Sequence, residues 1–317
     1  METINGYTPL RPFSSVGAGT ASWTIARKYE REYFLKRFNS PKYVPSCMEF
    51  CKVYEAKKQA LYDALRAIDN GNLVLIEDFF HYDTFYYIAT EKIDESSITA
   101  KDAHSLPMDK LFIVIKTLVH CMIQLENKGI VHADLKPANV MLKPTRSGFY
   151  ALKLIDFDSS FFEADPPSNK EDLEGDMVYL SPEVLMNMCG EDVALTCKID
   201  VFAAGIMLHQ FLAGITPEFD SDYDSVCEAV ANGGDVRISH TIPQPLRELI
   251  ASMLRLNAED RPTFSEVFRQ LCAYESTDEY KSAFGKKDTI IVSEAVPKSE
   301  AKPSAGKNPW MRKAGNL

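Results

Sequence analysis

The sequence predicts an α+β fold of two unequal lobes, in which a small strand-rich lobe with one helix precedes a larger helical lobe. Up to about residue 93 the chain holds short runs of aromatic and β-branched residues, which are typical of strands. Long apolar periodicities of the helical kind follow. The length of 317 residues fits two lobes, since domains commonly hold about 150 residues. We therefore assign residues 12–93 to the first lobe, 94–275 to the second and 276–317 to a tail.

The elements of the first lobe follow from local patterns. Residues 12–40 contain two short apolar runs separated by a charged turn, which predicts a β-hairpin. Apolar residues recur at helical spacing over 48–68 and turn formers follow at 69–71, so we expect a helix that ends there. Two further strands are predicted over 73–80 and 85–90.

The second lobe is predicted to consist mainly of helices. The loops between its periodic segments hold most of the Pro and Asp residues of this part. The longest mostly apolar stretch, 111–125, is interrupted by Lys116 and His120 and is too short to span a bilayer. It is therefore predicted to lie in a buried helix. The four predicted helices cover residues 107–128, 199–213, 243–256 and 263–274.

The composition argues against several classes of protein. Hydrophobic residues make up 45% of the chain and charged residues 25%, as in an ordinary globular protein rather than a disordered or collagen-like one. The net charge of −10 argues against a generic nucleic-acid binder and against binding to an anionic membrane. The seven cysteines form no C-x-x-C pair, and the N-terminus lacks the pattern of a secretory leader. Together these features predict a cytoplasmic protein with reduced thiols.

Two polar motifs follow strand-like residues in the second lobe. The first is I-V-H-A-D-L-K-P-A-N-V over 130–140, and the second is L-I-D-F-D over 154–158. A single Asp or Asn in such a loop is ordinarily a turn former, and only the joint spacing indicates a shared site. Together the motifs resemble the catalytic loop and the metal-binding loop of the protein-kinase superfamily. The resemblance implies a bilobal protein-kinase-like fold with nucleotide bound in the cleft between the lobes.

The resemblance also implies a role for each polar residue of the two motifs. Transfer of a γ-phosphoryl group mainly requires positioning and neutralisation of charge. Asp134 would be the catalytic base, and Lys136 would contact the γ-phosphate of ATP. Asn139 and Asp156 would hold Mg²⁺, with Mn²⁺ as an alternative, because hard oxygen ligands suit such ions.

A lysine and a glutamate of the first lobe complete this set. Lys36, at the end of the predicted hairpin, would hold the α- and β-phosphates. Its ion-pair partner is expected on the following helix. Glu55 is the preferred candidate because Tyr62 and Leu65 then face inward one and two turns later, and Glu49 is the alternative.

Other residues of the first lobe are expected to bind nucleotide. Gly17 and Gly19 resemble the glycine-rich lid, although the third glycine of the family pattern is missing. Glycines there would let backbone N–H groups approach the phosphates. Trp23 would cover the adenine, and Glu91 and Ile93 would supply backbone groups of the hinge to it.

Several motifs of the second lobe separate protein kinases from other phosphotransferases. G-D-M-V-Y-L-S-P-E over 175–183 resembles the segment that closes the activation loop, and D-V-F-A-A-G over 200–205 resembles the helix that braces the catalytic loop. Arg261 would pair with Glu183. Small-molecule kinases of the aminoglycoside and choline type lack this set. The L-K-P that follows Asp134 is similar to the pattern of Ser/Thr kinases.

Three residues depart from the family pattern. Ala133 stands where many kinases have the Arg that binds a phosphorylated activation loop, which predicts activity independent of that phosphorylation. Asp158 replaces a Gly, and Asp176 replaces a Thr. Residues 158–176 hold seven acidic residues and one lysine, which indicates either a surface that attracts basic substrates or a solvated face.

The tail differs in charge from the rest of the chain. Residues 285–317 contain seven basic and three acidic residues, a net charge of +4, which leaves −14 for the remainder. Trp310, flanked by cations, resembles an anchor for a protein partner, and an inert tail is the alternative.

Taken together, the motifs predict a Mg-ATP-dependent Ser/Thr protein kinase that acts on protein substrates. The chain is similar to compact bacterial kinases of the eukaryotic type. Three alternatives stay open: a pseudokinase that binds nucleotide without turnover, a small-molecule kinase, and a protein that acts only by binding partners. No nucleic-acid or membrane partner is expected.

Overall fold

An antiparallel sheet of five strands begins the chain in the order β1-β2-β3-β5-β4. The computed structural model describes residues 2–15, 21–68, 70–94, 97–167, 173 and 175–284. Gly17, Gly19 and Trp310 lie outside these residues. The strands are β1 (Thr8–Pro9), β2 (Ala21–Lys28), β3 (Arg31–Phe38), β4 (Ile76–Tyr82) and β5 (Phe85–Glu91).

The hairpin of β2 and β3 sets the direction of the lysine at the centre of the sheet. Its two turn residues, Tyr29 and Glu30, both have positive φ (49° and 63°), as in a two-residue hairpin loop of type I′. The resulting register places Lys36 opposite Trp23 on one side and Ile88 on the other. Directly paired residues have side chains on the same face of a sheet, so these three share one face.

One helix packs against the sheet. It is α1 (Met48–Arg66), which buries Cys51, Leu61, Tyr62 and Leu65. Leu61, Tyr62 and Leu65 follow Cys51 by 10, 11 and 14 residues, close to three or four whole turns of about 3.6 residues, which places all four along one side of the helix. The opposite side carries most of the charged residues of α1.

The second lobe is built around α4, a helix that is buried on nearly all sides. A helix that is apolar all round is typical of a protein core. The helices are α2 (Met108–Glu126), α3 (Pro182–Cys189), α4 (Lys198–Ala213), α5 (Val226–Ala231), α6 (Gln244–Met253), α7 (Phe264–Glu275) and α8 (Asp278–Phe284).

Short antiparallel strands connect the helices and position the polar loops. A three-stranded sheet has the order β6-β8-β9, and two two-stranded pairs join β7 to β10 and β11 to β12. The strands are β6 (Ile98–Thr99), β7 (Ile130–Val131), β8 (Val140–Pro144), β9 (Tyr150–Leu154), β10 (Phe161–Phe162), β11 (Glu218–Phe219) and β12 (Val236–Arg237).

The observed elements confirm the predicted α+β fold with a strand-rich first part and a helical second part. The helix of the first lobe, its two further strands and the four long helices all occur, with ends that differ by up to three residues. The hairpin lies within its predicted range of 12–40, as β2 and β3. The helices α3, α5 and α8 are additions to the prediction. β1 lies before the predicted start of the first lobe at residue 12. The helix α8 lies within the predicted tail because Tyr280 is buried against Phe112, with ring centroids 4.9 Å apart.

No helix within the described parts of the chain is long and apolar enough to cross a membrane.

Candidate active site

The catalytic-loop motif is held by a buried aspartate of α4. Asp200 accepts hydrogen bonds from the backbone N–H of His132 at 2.7 Å and of Ala133 at 3.0 Å. Burial raises the pKa of Asp200 to about 7, although these two hydrogen bonds act in the opposite direction. Ala133 has a φ of 65°, a conformation that side chains disfavour and that the surrounding contacts must stabilise. The bracing role predicted for this helix is therefore visible in the geometry.

The three polar residues of the catalytic loop lie in one hydrogen-bonded cluster. Lys136 Nζ lies 2.9 Å from a carboxylate oxygen of Asp134, which keeps only 16% of its side chain exposed. Asn139 Nδ2 donates to Asp134 Oδ2 at 2.9 Å and to its backbone oxygen at 2.8 Å. The side-chain nitrogen of Asn139 thus points to Asp134, which leaves its carbonyl oxygen as the atom suited to a cation.

The metal-loop motif lies directly beside this cluster. Ile155 donates its backbone N–H to the backbone oxygen of Asn139 at 2.9 Å, which joins the two loops. The next residue, Asp156, has a φ of 65°. Phe157 is buried against His132, with ring centroids 5.0 Å apart, and His132 Nε2 lies 3.2 Å from the Ile155 oxygen. These contacts hold the residues on both sides of Asp156 in place.

Lys36 reaches from the sheet to the metal loop. Its Nζ lies 3.1 Å and 3.3 Å from the two carboxylate oxygens of Asp156 and forms an ion pair with Asp158 Oδ2. Burial favours the neutral lysine, but the charges of Asp158 and Asp156 outweigh it and raise the pKa of Lys36. Lys36 is therefore a cation held in the site by two carboxylates.

The two carboxylates have different pKa values. Burial acts to raise the pKa of Asp156, but the charge and hydrogen bonds of Lys36 hold it below its ordinary value. Burial and the neighbouring Asp156 raise the pKa of Asp158 to about 6, against the opposing effects of Lys36 and Lys58. Asp156 is thus ionised over the neutral range, as a ligand for a hard cation must be.

The predicted ion pair between Lys36 and a glutamate of α1 is not formed, and this expectation is wrong for the described structure. Glu55 accepts a hydrogen bond from the Tyr86 hydroxyl at 3.1 Å and lies 3.5 Å from His81 Nδ1. Glu49, the alternative, is 89% exposed and lies 3.9 Å from Lys52. Both glutamates therefore contact other residues in place of the lysine.

Two residues of this site were missed as contacts by sequence reasoning. Lys58 of α1 donates its Nζ to the backbone oxygen of Asp158, and Asp158 pairs with Lys36. The family pattern identifies Asp158 only as a replacement for a glycine and does not indicate this contact with Lys36. The sequence contained two signals of this contact. The inward-facing part of α1 carries a cation, Lys58, and the loop carries a carboxylate, Asp158, in place of the family's glycine.

The residues predicted to bind adenine contact neighbouring groups of the protein. Trp23 stacks on Phe34, with centroids 5.3 Å apart and a 24° angle between the rings, and the Arg11 guanidinium lies 4.6 Å from its ring centroid. Glu91 donates its backbone N–H to the Leu75 oxygen at 2.9 Å. Ile93 packs against the main core. The roles of these residues toward a base stay predictions.

The segment that follows the acidic loop is fixed by a buried ion pair. Arg261 lies 2.7 Å from Glu183 Oε1, as the resemblance predicted, and the two side chains are 0% and 4% exposed. By contrast, Asp176 is exposed and accepts a hydrogen bond from the Val178 N–H at 3.1 Å, which makes it a turn-forming residue here.

Asn139 and Asp156 fit the requirements of a divalent cation. They present an amide oxygen and an ionised carboxylate from two adjoining loops, a donor set of hard oxygens. Two protein ligands suit Mg²⁺, which usually keeps waters and phosphate oxygens for its other positions. The fit holds equally for Mn²⁺ on the chemistry of the ligands alone.

The strand-rich and helical parts and this cluster of cations and carboxylates have the arrangement expected of a protein kinase domain. Residues 18–271 match the family model of the protein kinase domain. The chain therefore belongs to the protein kinase superfamily.

Individual relatives are similar at low identity. The serine/threonine-protein kinase PEPKR2 of Arabidopsis thaliana is 30% identical over 159 residues, 49% of this chain and 32% of the relative. A calcium/calmodulin-dependent protein kinase type II of Caenorhabditis elegans is 26% identical over 236 residues, 71% of this chain and 31% of the relative. A probable myosin light chain kinase of Dictyostelium discoideum is 26% identical over 178 residues, 53% of each chain. The chain thus spans about a third to a half of the length of these relatives.

Proposed function

We propose that the protein transfers the γ-phosphoryl group of Mg-ATP to Ser or Thr hydroxyls of protein substrates. The observation that carries this proposal is the cluster of Asp134, Lys136 and Asn139, joined through the Ile155–Asn139 hydrogen bond to Asp156 and Lys36. It supplies the side chains that would position a transferring phosphoryl group and, together with a metal ion, neutralise its charge.

The residues of the cluster have distinct tasks in this reaction. Asn139 and Asp156 would hold the metal ion, which would supply positive charge to the phosphate oxygens when bound. Lys36 binds the inner phosphates, and Lys136 binds the transferring phosphate and stays close to Asp134. The Asp134 carboxylate accepts the proton of the incoming hydroxyl, and the Asn139 amide holds that carboxylate in place.

Protein substrates are favoured over small molecules by the segment around Glu183. The buried Arg261–Glu183 ion pair fixes a segment that small-molecule kinases of the aminoglycoside and choline type lack. One of the similar proteins, PEPKR2, is named a serine/threonine-protein kinase. A small-molecule kinase and a pseudokinase remain the competing proposals, the latter because Asp158 and Asp176 depart from the family pattern.

The direct test is transfer of label from γ-labelled ATP, with and without magnesium, to generic basic protein substrates. Wild type is expected to label Ser or Thr of protein, and Asp134→Asn is expected to lose at least about a hundredfold in rate, the scale of general-base catalysis. The matched control is Asp165→Asn, an exposed carboxylate outside the cluster. Absence of protein-bound label with wild type would exclude the protein-kinase proposal.

We also propose that activity does not depend on phosphorylation of the activation loop. Ala133 offers no cation to a phosphate, and its neighbourhood is fixed by Asp200 instead. Of the serines in this loop, Ser160 is only 3% exposed and donates its hydroxyl to the His132 oxygen at 2.9 Å, so it is a poor target for modification. Phosphatase treatment is expected to leave activity unchanged. A loss that rephosphorylation of Ser159 or Ser168 reverses would contradict this.

The basic tail is proposed to bind a protein partner through the sequence around Trp310. Its net charge of +4 and a single aromatic anchor between cations support this. Removal of residues 285–317 is expected to leave catalysis intact and to abolish one interaction. If every interaction persists after the deletion, the tail is not a partner motif.

A further inference from the structure

The ion pair that positions Lys36 differs from the one expected on α1. Within the described residues, the carboxylates that contact Lys36 Nζ belong to Asp156 and Asp158, both in the metal loop. Lys36 and Asp158 keep only 14% and 21% of their side chains exposed. A charge pair so far removed from water is held strongly, and removal of one partner leaves the other buried and uncompensated.

The acidic residues of α1 are all engaged elsewhere. Glu49 lies beside Lys52 and Glu55 beside Tyr86 and His81, while Asp63 pairs with Arg66 at 3.0 Å. The group that α1 presents to the metal loop is instead the cation of Lys58, which donates to the backbone oxygen of Asp158.

The positions of the two charges are thus exchanged relative to the family pattern. The helix carries the cation, Lys58, and the loop carries the anion, Asp158, in place of a glycine. Tyr62, one turn after Lys58, is fully buried and lies near both loop carboxylates. Its burial raises its pKa, and the charges of Asp158 and Asp156 add to this effect. The exchange therefore lies at the contact between the helix and the loop and not at the surface.

Asp156 alone cannot serve as the permanent partner of Lys36. In the proposed function its oxygens are ligands of the metal ion, and a carboxylate that binds a divalent cation attracts a lysine less strongly. Asp158 has no such second role, and Lys58 fixes the backbone from which it projects. The Asp158 carboxylate can therefore hold Lys36 while the metal site is filled.

We propose that Asp158 is the positioning residue that holds Lys36 toward the nucleotide phosphates, and that Lys58 of α1 fixes the loop backbone that carries it. This assignment rests on the proposed function, because it requires that Lys36 bind phosphate. It also gives α1 a part in nucleotide binding that does not require a glutamate on the helix.

The test compares binding of Mg-ATP with binding of adenosine, which lacks phosphates, by calorimetry on the full chain. Asp158→Asn, which preserves shape and removes charge, is expected to weaken Mg-ATP binding about tenfold, the scale of one charge-assisted hydrogen bond. Adenosine binding is expected to stay the same, which also shows that the variant is folded. The matched control, Asp165→Asn, removes an exposed carboxylate that pairs with Lys57, and it is expected to change neither affinity.

A charge-exchange series tests the role of Lys58. Asp158→Gly is expected to weaken Mg-ATP binding like Asp158→Asn. Addition of Lys58→Glu, which returns the acid to the helix, is expected to restore affinity to within about threefold of wild type, while Lys58→Leu in the same background is not. Unchanged Mg-ATP affinity in Asp158→Asn would overturn the proposal, and so would equal recovery with Lys58→Leu.

The outcome distinguishes this proposal from the proposed function. If wild type binds Mg-ATP but transfers no phosphate, the kinase proposal fails while the affinity pattern still decides the role of Asp158. If wild type phosphorylates protein and Asp158→Asn binds Mg-ATP normally, only the role of Asp158 is refuted. Binding of adenosine without any preference for Mg-ATP would overturn both proposals.

Discussion

The buried ion pair between Arg261 and Glu183 shows how single residues stabilise the second lobe. Arg261 donates from Nε to the Arg255 oxygen at 2.7 Å and from its other nitrogens to the oxygens of Lys198 and Leu256, both at 3.0 Å. It therefore ties together three chain segments, while the carboxylate of Glu183 compensates its charge. Burial acts to lower the pKa of Arg261, and Glu183 opposes this.

Replacement of Glu183 by Gln is therefore expected to destabilise the protein strongly. It leaves the guanidinium buried without a countercharge, which costs about 3 kcal/mol or more in the free energy of unfolding. Urea unfolding monitored by circular dichroism measures this. The control is Asp63→Asn, which removes an exposed partner of Arg66 and is expected to have a much smaller effect. If the two substitutions lowered the free energy of unfolding equally, the buried pair would contribute no more to stability than the exposed one.

At the scale of elements, the ends of α4 are held by different kinds of contact. Near its start, Asp200 holds the catalytic loop. Near its end, His209 joins two loops: its Nδ1 donates to the Ile215 oxygen at 2.7 Å and its Nε2 accepts from the Ser239 N–H at 2.9 Å. Only a neutral imidazole makes both hydrogen bonds, because a protonated ring has no acceptor.

This arrangement makes stability depend on pH. Burial lowers the pKa of His209 below its ordinary value, although the Ile215 hydrogen bond and the nearby Glu218 oppose this. In the unfolded chain histidine takes up a proton near pH 6.5, before it does so in the folded protein. The stability that neutral His209 contributes is thus present above about pH 6.5 and is lost as the pH falls toward its folded value.

His209→Gln is expected to reduce the loss of stability between pH 7.5 and pH 5.5, because glutamine does not titrate in this range. Urea unfolding at the two pH values measures the difference for each variant. His120→Gln, at an exposed position, is the control and is expected to behave like wild type. If the stability of wild type and of His209→Gln depended on pH in the same way, His209 would not be the source of this pH dependence.

The sequence predicted elements well wherever the apolar pattern was long. The four helices of the second lobe and the first-lobe helix extend over several turns, so their periodicity is clear. The helices α3 and α5 have eight and six residues, too few for a reliable period. The spacing of the loop motifs likewise predicted that Asp134, Asn139 and Asp156 lie together.

The partner of Lys36 could not be predicted in the same way. Successive helical residues point about 100° apart, so a small rotation or shift of α1 changes which residue faces the sheet. The chain enters α1 through a 3-10 turn, Pro45–Cys47, which helps to set that rotation. As a result Lys58, three residues after Glu55, contacts the metal loop. The burial of Tyr62, one turn after Lys58, is part of the tertiary packing that the helical pattern alone does not specify.

At the scale of the whole molecule, one apolar core connects the strand-rich and helical parts. The same buried cluster includes Tyr62 of α1, Ile88 of β5, Phe112 of α2 and Phe202 of α4. A second cluster, around Tyr7 and Leu35, lies on the other face of the first sheet. Since Lys36 also reaches the metal loop, the two parts share both apolar and ionic contacts.

This continuity predicts that residues 2–284 unfold by heat in one cooperative transition and that Mg-ATP shifts it as a whole. A ligand at a hundred times its dissociation constant stabilises the folded state by about 2.7 kcal/mol. For a chain of this size that corresponds to several degrees in Tm. Calorimetry of the full chain with Mg-ATP, with ATP and a chelator, and with adenosine measures the shift.

The expected order of Tm shifts is Mg-ATP, then ATP with chelator, then adenosine, because each step removes contacts with Lys36, Asn139 or Asp156. Lys36→Ala is expected to bring the shift with Mg-ATP close to that with adenosine, since the cation that binds the phosphates is then missing. Two separate transitions, of which Mg-ATP shifts only one, would instead mean that the apolar core does not couple the two parts.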